Sequence, residues 1–354
     1  MKGTHLLLGA VVTVPFLLGA AAGVPNGADE ADEVAFRFTD RDIVESSGLV
    51  VVDGLVVTTN DSGDQGRVFA VDPATGATVG VTTWATDPED VEALAPAGRG
   101  HVWVADIGDN RHARDKVSVL RVPVGRGDRD VVPEAYDLAY PDGARDAEAL
   151  LRHPVTGRLF VITKGVFAGT VYAAPQRLRA DRTNRLTEVG QAPGIVTDAA
   201  FLPGGGGVVM RTYSSAHLSA FPSWQGVESW PLPDQDQGEG VTVAGDELLV
   251  STEGARSQVL RVGLPASAGA TDRLSPAWTS MRWLVTPYGL PLSSSVQRRV
   301  ERGLDVQGRA GEDGQLDVSL LDQQLELGAP QQHAAGAGVP QLLDDRDHPA
   351  ARAG

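Results

Sequence analysis

The chain of 354 residues is acidic, with 46 Asp and Glu residues against 30 Lys and Arg residues, and it contains no Cys. Because the basic residues form no run, a phosphate backbone would be repelled over most of the surface, so nucleic acid is excluded as the expected partner. The lack of Cys excludes disulfides, a lipid-modified cysteine and a zinc site built from thiolates.

Residues 1–22 have the pattern of an export signal. Lys2 supplies the positive start, and an apolar run follows that ends in small residues at Ala22. This pattern predicts a secreted or extracellular protein, with association with the cell envelope as an alternative, and a mature chain that begins near Gly23 with a linker over 23–33. The other interpretation is an uncleaved membrane anchor, since the apolar run of about 17 residues approaches the roughly 20 that span a bilayer.

Five short acidic or hydroxyl-containing motifs recur further along the chain, each followed by a turn and a β-rich run. They are Glu45–Leu49, Asp90–Leu94, Asp146–Leu150, Thr197–Phe201 and Gln237–Val241. Aligned on their third residues, they are separated by 45, 56, 51 and 40 residues. These intervals are close to the roughly 40–50 residues of a four-stranded propeller blade.

Each motif begins a predicted meander of short strands. In the first repeat, the turn at Asp53 and Gly54 supplies the positive φ angles of a tight hairpin. The β-rich runs 55–60 and 67–72 then predict the second and third strands, and 79–84 predicts a fourth, outer strand. Because a lone meander cannot cover its own apolar face, the repeats are expected to stack around an axis.

The predicted fold is therefore all-β, with a single β-propeller over 34–265 that has five blades, six being the alternative count. The segment Val34 to Phe38 is expected to complete the last blade and close the ring. The repeat pattern ends near Ala266, which leaves 266–307 as an extension without an assigned fold. Residues 308–354 are rich in Gly, Gln, Ala and Asp, which predicts a disordered tail. A frameshifted reading frame is the second explanation for that composition.

In such a blade, the start of the inner strand and the end of the second strand lie on one face, and both places are polar in every repeat. The residues expected to converge there as ligands of a central divalent cation are Ser47, Glu92, Glu148, Asp198 and Glu239. Carboxylates brought together must bind either protons or a cation. Oxygen ligands alone suit calcium. One alternative is a polar channel without metal, which would need protonated acids. Another, for Glu92, Glu148 and Glu239, is that they satisfy backbone groups at the starts of the strands.

Four polar residues at the ends of second strands are candidates for catalysis, namely Asp61, Asp106, Lys164 and Arg211. Either acid would serve as a general base, and the two cationic residues would hold an anionic group such as a phosphate. The alternative for the cationic residues is a structural ion pair with a neighbouring acid such as Glu148.

The motifs ESSGL, NDSGD, DIGDN, DAEAL and STEG, taken together over residues 40–265, resemble those of exported actinobacterial propeller proteins that are loosely linked with phytase-like propellers. The order of Ser47, Glu92, Glu148 and Glu239 is also similar to the calcium ring of the five-bladed calcium-activated nucleotidases (apyrases). That family has a serine as the fourth ligand, where this chain has Ala199. The resemblance implies five blades and a central calcium ion. It does not imply nucleotidase activity, because that family's substrate-binding residues find no match here.

The sequence thus predicts an exported, calcium-binding propeller with a phosphate-ester hydrolase activity at an acidic mouth, acting on a small anionic or phosphorylated ligand. The alternative is a propeller without enzymatic activity that binds a ligand or a cell-envelope partner and uses calcium structurally. In both cases a membrane would be contacted only through an uncleaved signal.

Overall fold

The structure, a computed structural model, describes residues 33–61 and 63–273. All of them belong to one compact unit, Met1–Trp278. The predicted export signal, the predicted tail over 308–354, and most of the linker and of the extension lie outside the described residues.

The described residues form 22 strands and one short helix. In chain order, the strands are β1 (Glu33–Arg37), β2 (Ser46–Val52), β3 (Leu55–Asn60), β4 (Arg67–Asp72), β5 (Ala77–Trp84), β6 (Val91–Pro96), β7 (His101–Asp106), β8 (Val117–Pro123), β9 (Arg129–Val131), β10 (Glu134–Ala139), β11 (Ala147–Arg152), β12 (Leu159–Thr163), β13 (Ala168–Ala173), β14 (Asn184–Arg185), β15 (Thr187–Pro193), β16 (Val196–Phe201), β17 (Gly207–Thr212), β18 (Ser215–Ala220), β19 (Gln225–Pro231), β20 (Gly238–Ala244), β21 (Glu247–Thr252) and β22 (Gln258–Gly263), and helix α1 (Ala266–Arg273) follows them.

These strands form five sheets, one for each repeat, so the predicted five-bladed propeller is confirmed. From the inside outwards the blades are β2-β3-β4-β5, β6-β7-β8-β10, β11-β12-β13-β15, β16-β17-β18-β19 and β20-β21-β22-β1. Two short strands extend the first and second blades in parallel, β9 beside β5 and β14 beside β10. The inner strands contact one another in cyclic order, and β20 contacts β2, which closes the ring.

The N-terminal strand completes the last blade, as predicted for 34–38. It pairs antiparallel with β22, with Phe36 opposite Val259. Phe36 and Phe38 are buried together with Leu49 of β2 in one apolar cluster. The two ends of the propeller are therefore joined by a β-ladder and by shared core, because this one strand contacts both the fifth and the first blade.

Apolar side chains fill the spaces between neighbouring blades, as the alternation along the strands requires. Between the second and third blades, Val119, Leu150 and Tyr172 belong to one buried cluster. The turns between inner and second strands lie on the opposite face from the polar motifs, and the first has the expected positive φ angles at Asp53 (49°) and Gly54 (77°). Within the described part of the chain, no helix combines the length and the apolar character needed to cross a membrane.

Between the third and fourth blades, an aromatic cluster encloses His153, whose side chain is 1% exposed. The ring lies 5.0 Å from Phe201 and 4.8 Å from Phe221, measured between centroids. Its Nδ1 accepts hydrogen bonds from the backbone N–H groups of Val155 (3.3 Å) and Thr156 (3.1 Å). Burial, assisted by the nearby positive charge of Arg152, lowers the pKa of His153 to about 4.

This buried histidine should make the fold sensitive to acid. Between pH 6.5 and 4, the unfolded chain binds a proton on His153 that the folded chain cannot, so we expect the free energy of unfolding to fall by on the order of 2 kcal/mol as pH decreases. His153→Asn keeps an acceptor for the two N–H groups but does not titrate, so it should lose this dependence. Urea unfolding at pH 7, 6, 5 and 4.5 measures it.

The matched control is His112→Asn, because His112 is exposed and has a φ of 50°, which Asn tolerates. This variant should keep the acid sensitivity of the unaltered chain. An equal decrease of stability with pH in His153→Asn and His112→Asn would contradict the assignment.

Candidate metal centre at the mouth of the propeller

We call the face where inner strands begin and second strands end the mouth. Near its start, every inner strand departs from regular pairing with the second strand by a β-bulge, such as the one between Val91 and Ala93. A bulge leaves one residue out of the ladder and redirects its side chain. The first residues of these irregular stretches, called bulge residues below, are Ser47, Glu92, Glu148, Thr197 and Glu239, and in the first and fifth blades the stretch also includes Gly48 and Gly240. All five are buried at equivalent positions around the ring.

In the fourth blade, the bulge residue is Thr197 and not Asp198. The Thr197 hydroxyl donates to the backbone O of Glu239 (3.0 Å), and the Ser47 hydroxyl donates to the backbone O of Glu92 (2.8 Å), so these two residues play the same part in their blades. The carboxylate of Asp198 instead accepts the N–H groups of Ala199 and Val241, both at 2.8 Å. The structure therefore places Asp198 among backbone donors and does not bring it to the ring.

Three carboxylates meet beside the first and second bulges. One oxygen each from Asp61, Asp90 and Glu92 lies within 4.8 Å of the others. Asp61 and Asp90 are half-buried, and Glu92 is 4% exposed. A Cβ atom on Gly108 would lie 2.4 Å from Asp90 Oδ2 and 2.6 Å from Glu92 Oε1, so these oxygens pack directly on the glycine backbone. A larger residue at this position would displace both carboxylates.

On the other side of the ring, Lys164 lies among the remaining acids. Its Nζ is 2.7 Å from Glu148 Oε1 and 5.6 Å from the centre of the Tyr213 ring. Burial lowers the pKa of Lys164, but the charge and hydrogen bond of Glu148 outweigh this effect, and the net result is a raised pKa. The structural ion pair that was the alternative for this lysine is thus present in the structure.

Burial and mutual repulsion raise the pKa of the mouth acids. Burial comes first for Glu92, and the charges of Glu148, Asp61 and Asp90 add to it. The pKa of Asp90 is raised to about 6 by burial and by Asp61. Burial and the charge of Glu148 raise the pKa of Glu239 to about 8. The nearby cations, which are Lys164, Arg114 beside Asp90 and Arg211 beside Glu239, do not offset these effects, so a further positive charge would favour the charged carboxylates.

The donor set suits a hard cation. Two ligands of one calcium ion can lie at most about 5 Å apart, since calcium–oxygen distances are roughly 2.3–2.6 Å, and the oxygens of Asp61, Asp90 and Glu92 meet that limit. Among described residues, no donor reaches the Glu92 carboxylate, and the buried Oε2 of Glu239 has no hydrogen-bond partner. The site thus offers oxygen atoms that the protein itself leaves unsatisfied.

Asp106, predicted as a candidate base, is engaged away from the ring. Its carboxylate accepts the N–H groups of Glu89 (3.1 Å) and Asp90 (3.0 Å) and pairs with Arg114 at 2.8 Å. Asn60 accepts two equivalent N–H groups at the same place in the first blade. The end of the second strand is therefore a structural acceptor, and the following residue, Asp61 in the first blade, faces the mouth.

Arg211, predicted to hold an anion, is fully buried. Its guanidinium donates to the backbone O atoms of Gly240 (2.6 Å) and Ser251 (2.7 Å) and to Gln235 Oε1 (2.5 Å). Burial lowers its pKa to about 10, while Glu239 opposes this change. The side chain joins the fourth and fifth blades, and these contacts direct its donors into the protein.

Sequence reasoning did not select Asp90, Thr197 or Gly108 as site residues. The spacing Asp90-x-Glu92 carried a usable signal, because a bulge turns residues two apart towards one point. Thr197 carries no such signal. The motif alignment places Ala199 at the equivalent position, and only the register of the bulge shows that Thr197 occupies it.

No family model and no curated protein matches this chain. Solved structures that it resembles include a gluconolactonase from Xanthomonas campestris, 14% identical over 62% of this chain and 72% of that one, with a TM-score of 0.39. A glutaminyl cyclase from Myxococcus xanthus is 12% identical over 65% and 98% of the two chains, with a TM-score of 0.41. A glucose dehydrogenase is 12% identical over 62% and 84%, with a TM-score of 0.37. The likeness is too low to carry an argument about activity, and the five blades rest on the strand pairing described above.

Proposed function

We propose that this chain is an exported propeller that binds a calcium ion at its mouth through Asp61, Asp90 and Glu92, and that the ion receives an anionic ligand there. The observation that carries the proposal is the meeting of three carboxylate oxygens within 4.8 Å around Glu92, a nearly buried acid to which no described residue donates. Export rests on the pattern of residues 1–22 alone.

Charge balance supports a cation over a purely structural role for these acids. Five carboxylates, of Asp61, Asp90, Glu92, Glu148 and Glu239, interact with one another. The cations that act on them are Lys164, Arg114 beside Asp90 and Arg211 beside Glu239, and the pKa of Asp90, Glu92, Glu148 and Glu239 is raised in spite of them. Structural acids in this fold have donors, as Asp106 and Asp198 show. None of the described residues donates to the Glu92 carboxylate, and a metal ion at this position would stabilise its charged form.

Phosphate-ester hydrolysis is the second candidate function, and Lys164 is the observation that favours it. A bound calcium ion would polarise a phosphoryl oxygen. The ammonium group of Lys164, held by Glu148 and adjacent to Tyr213, could then balance the charge of the phosphate. Of the four predicted catalytic residues, Asp61 and Lys164 lie at the mouth, while Asp106 and Arg211 are engaged elsewhere. The geometry therefore supports binding more directly than it supports turnover.

Calcium should raise the melting temperature of the purified protein. A ligand bound only by the folded state at 100 times its Kd contributes about 2.7 kcal/mol, which corresponds to an increase of about 5 °C for a domain of this size. Glu92→Gln should abolish most of this increase, and so should Gly108→Ala, because its Cβ would displace the carboxylates of Asp90 and Glu92. Scanning calorimetry with calcium or chelator measures the effect, with magnesium as a comparison.

Two control variants match these substitutions. Gly226 has open space around it and no positive φ, so Gly226→Ala should keep the calcium response. Glu134 is an exposed acid outside the mouth, so Glu134→Gln should keep it too. An unchanged calcium response in both Glu92→Gln and Gly108→Ala would show that the cation binds elsewhere.

Hydrolysis is checked by incubating the protein with phytate, nucleotides and a generic phosphate ester, with calcium or with chelator. If the chain is an enzyme, turnover should require calcium, and Lys164→Gln should lower kcat/KM by about 10- to 100-fold through loss of charge stabilisation. Lys116→Gln is the control, since Lys116 pairs with Asp137 of the outer strand β10. If no substrate is turned over and the calcium response is intact, hydrolysis is contradicted and only the binding function remains.

A further inference from the structure

The third blade displays two large apolar side chains at the edge of the mouth. Val166 and Phe167 form the tip of the turn between β12 and β13, and they are 74% and 96% exposed. They follow Lys164 almost directly in the chain. Single exposed apolar residues are ordinary on protein surfaces. Two adjacent exposed apolar side chains beside a charged site indicate a surface that contacts a ligand or a partner.

The backbone around this tip is strained and tightly packed. Ile195 has a φ of 57°, and a β-branched residue in the left-handed region is a rare outlier. Its N–H donates to Gly165 O at 2.7 Å. A Cβ on Gly194 would lie 2.6 Å from Val166 O and 2.8 Å from the carbonyl carbon of Phe167, so the two loops are in direct backbone contact. The backbone contacts thus hold the tip in place, although the side chains of Val166 and Phe167 are largely exposed.

The mouth is consequently different on its two sides. Ile195 stands two residues before the bulge, where the other four blades have Glu45, Asp90, Asp146 and Gln237. Tyr213, which is 37% exposed, follows the second strand where the first and fifth blades have acids. The first and second blades therefore supply the three clustered carboxylates, and the third and fourth supply an apolar wall, which we define as Val166, Phe167, Ile195 and Tyr213. Lys164 lies at the boundary.

We propose that the apolar wall contacts an uncharged alkyl or aryl group of a ligand whose phosphate lies against Lys164 and the cation. The ligand class is then a phosphate monoester of an apolar alcohol. A polyol with phosphates on all sides fits less well, because it would place charge against Phe167 and additional negative charge near the acids of the first two blades. This inference rests on the proposed function, since the cation and Lys164 hold the head of the ligand.

Titration calorimetry in the presence of calcium tests the inference with methyl, butyl, hexyl and phenyl phosphate as probes. Burial of one methylene group is worth about a fourfold change in Kd, so affinity should rise by about that factor for each methylene that reaches the wall. Phe167→Ser should weaken the binding of hexyl and phenyl phosphate by about tenfold and leave the binding of methyl phosphate unchanged. The fold should tolerate this change, because Phe167 is almost fully exposed.

Val132→Ser is the control, since Val132 is 98% exposed and lies between β9 and β10 on the outer strands. It should leave the whole series unchanged. Equal affinities for all four esters in the unaltered chain would overturn the apolar wall but not the phosphate site. Binding of none of them, with an intact calcium response, would overturn the wall and the anionic ligand but not the calcium site. A change from oligomer to monomer in Phe167→Ser without ligand would also overturn the inference, since the tip would then be a subunit contact.

Discussion

The β-bulge at the start of each inner strand is the constraint on which the site depends. Regular pairing would turn successive side chains to alternate faces of a blade, into the space between blades. One extra residue breaks that alternation, and in three of the five blades the residue is Glu. Because β20 contacts β2, the ring is closed, and the glutamates cannot move apart. The closed ring of five bulged inner strands therefore both completes the fold and concentrates negative charge at the mouth.

The donors around each acid, and not the acid itself, decide its chemistry. Asp198 is fully buried and Asp106 nearly so, yet each is satisfied by two backbone N–H groups, and Asp106 also by Arg114. Glu148 is satisfied by Lys164. Glu92 is equally buried but receives no hydrogen bond from the described residues. A buried carboxylate without a donor is costly, so its persistence in the ring is the strongest argument for an ion at that position.

Sequence patterns were sufficient for the fold because the fold depends on distributed features. The intervals between motifs, the turn at Asp53 and Gly54 and the apolar run at 34–38 each predict one part of the ring, and each agrees with the strand pairing. The site depends instead on single-residue register, since a shift by one residue moves a side chain to the other face. Asp61 and Asp106 look alike in sequence, but one follows its strand and the other ends it.

The same reasoning explains the difference between Lys164 and Arg211. Both follow an apolar run of a second strand, and both were expected at the rim. Arg211 pairs in register with Asp198, inside the ladder, whereas Lys164 comes after the last paired residue of β12. Thr163 and Thr212 are equivalent, so a shift of two positions separates the buried guanidinium that joins two blades from the ammonium group at the mouth. Five blades with a common order of four antiparallel strands thus provide the closed ring, and the chemical character of the mouth comes from the positions at which the repeats differ.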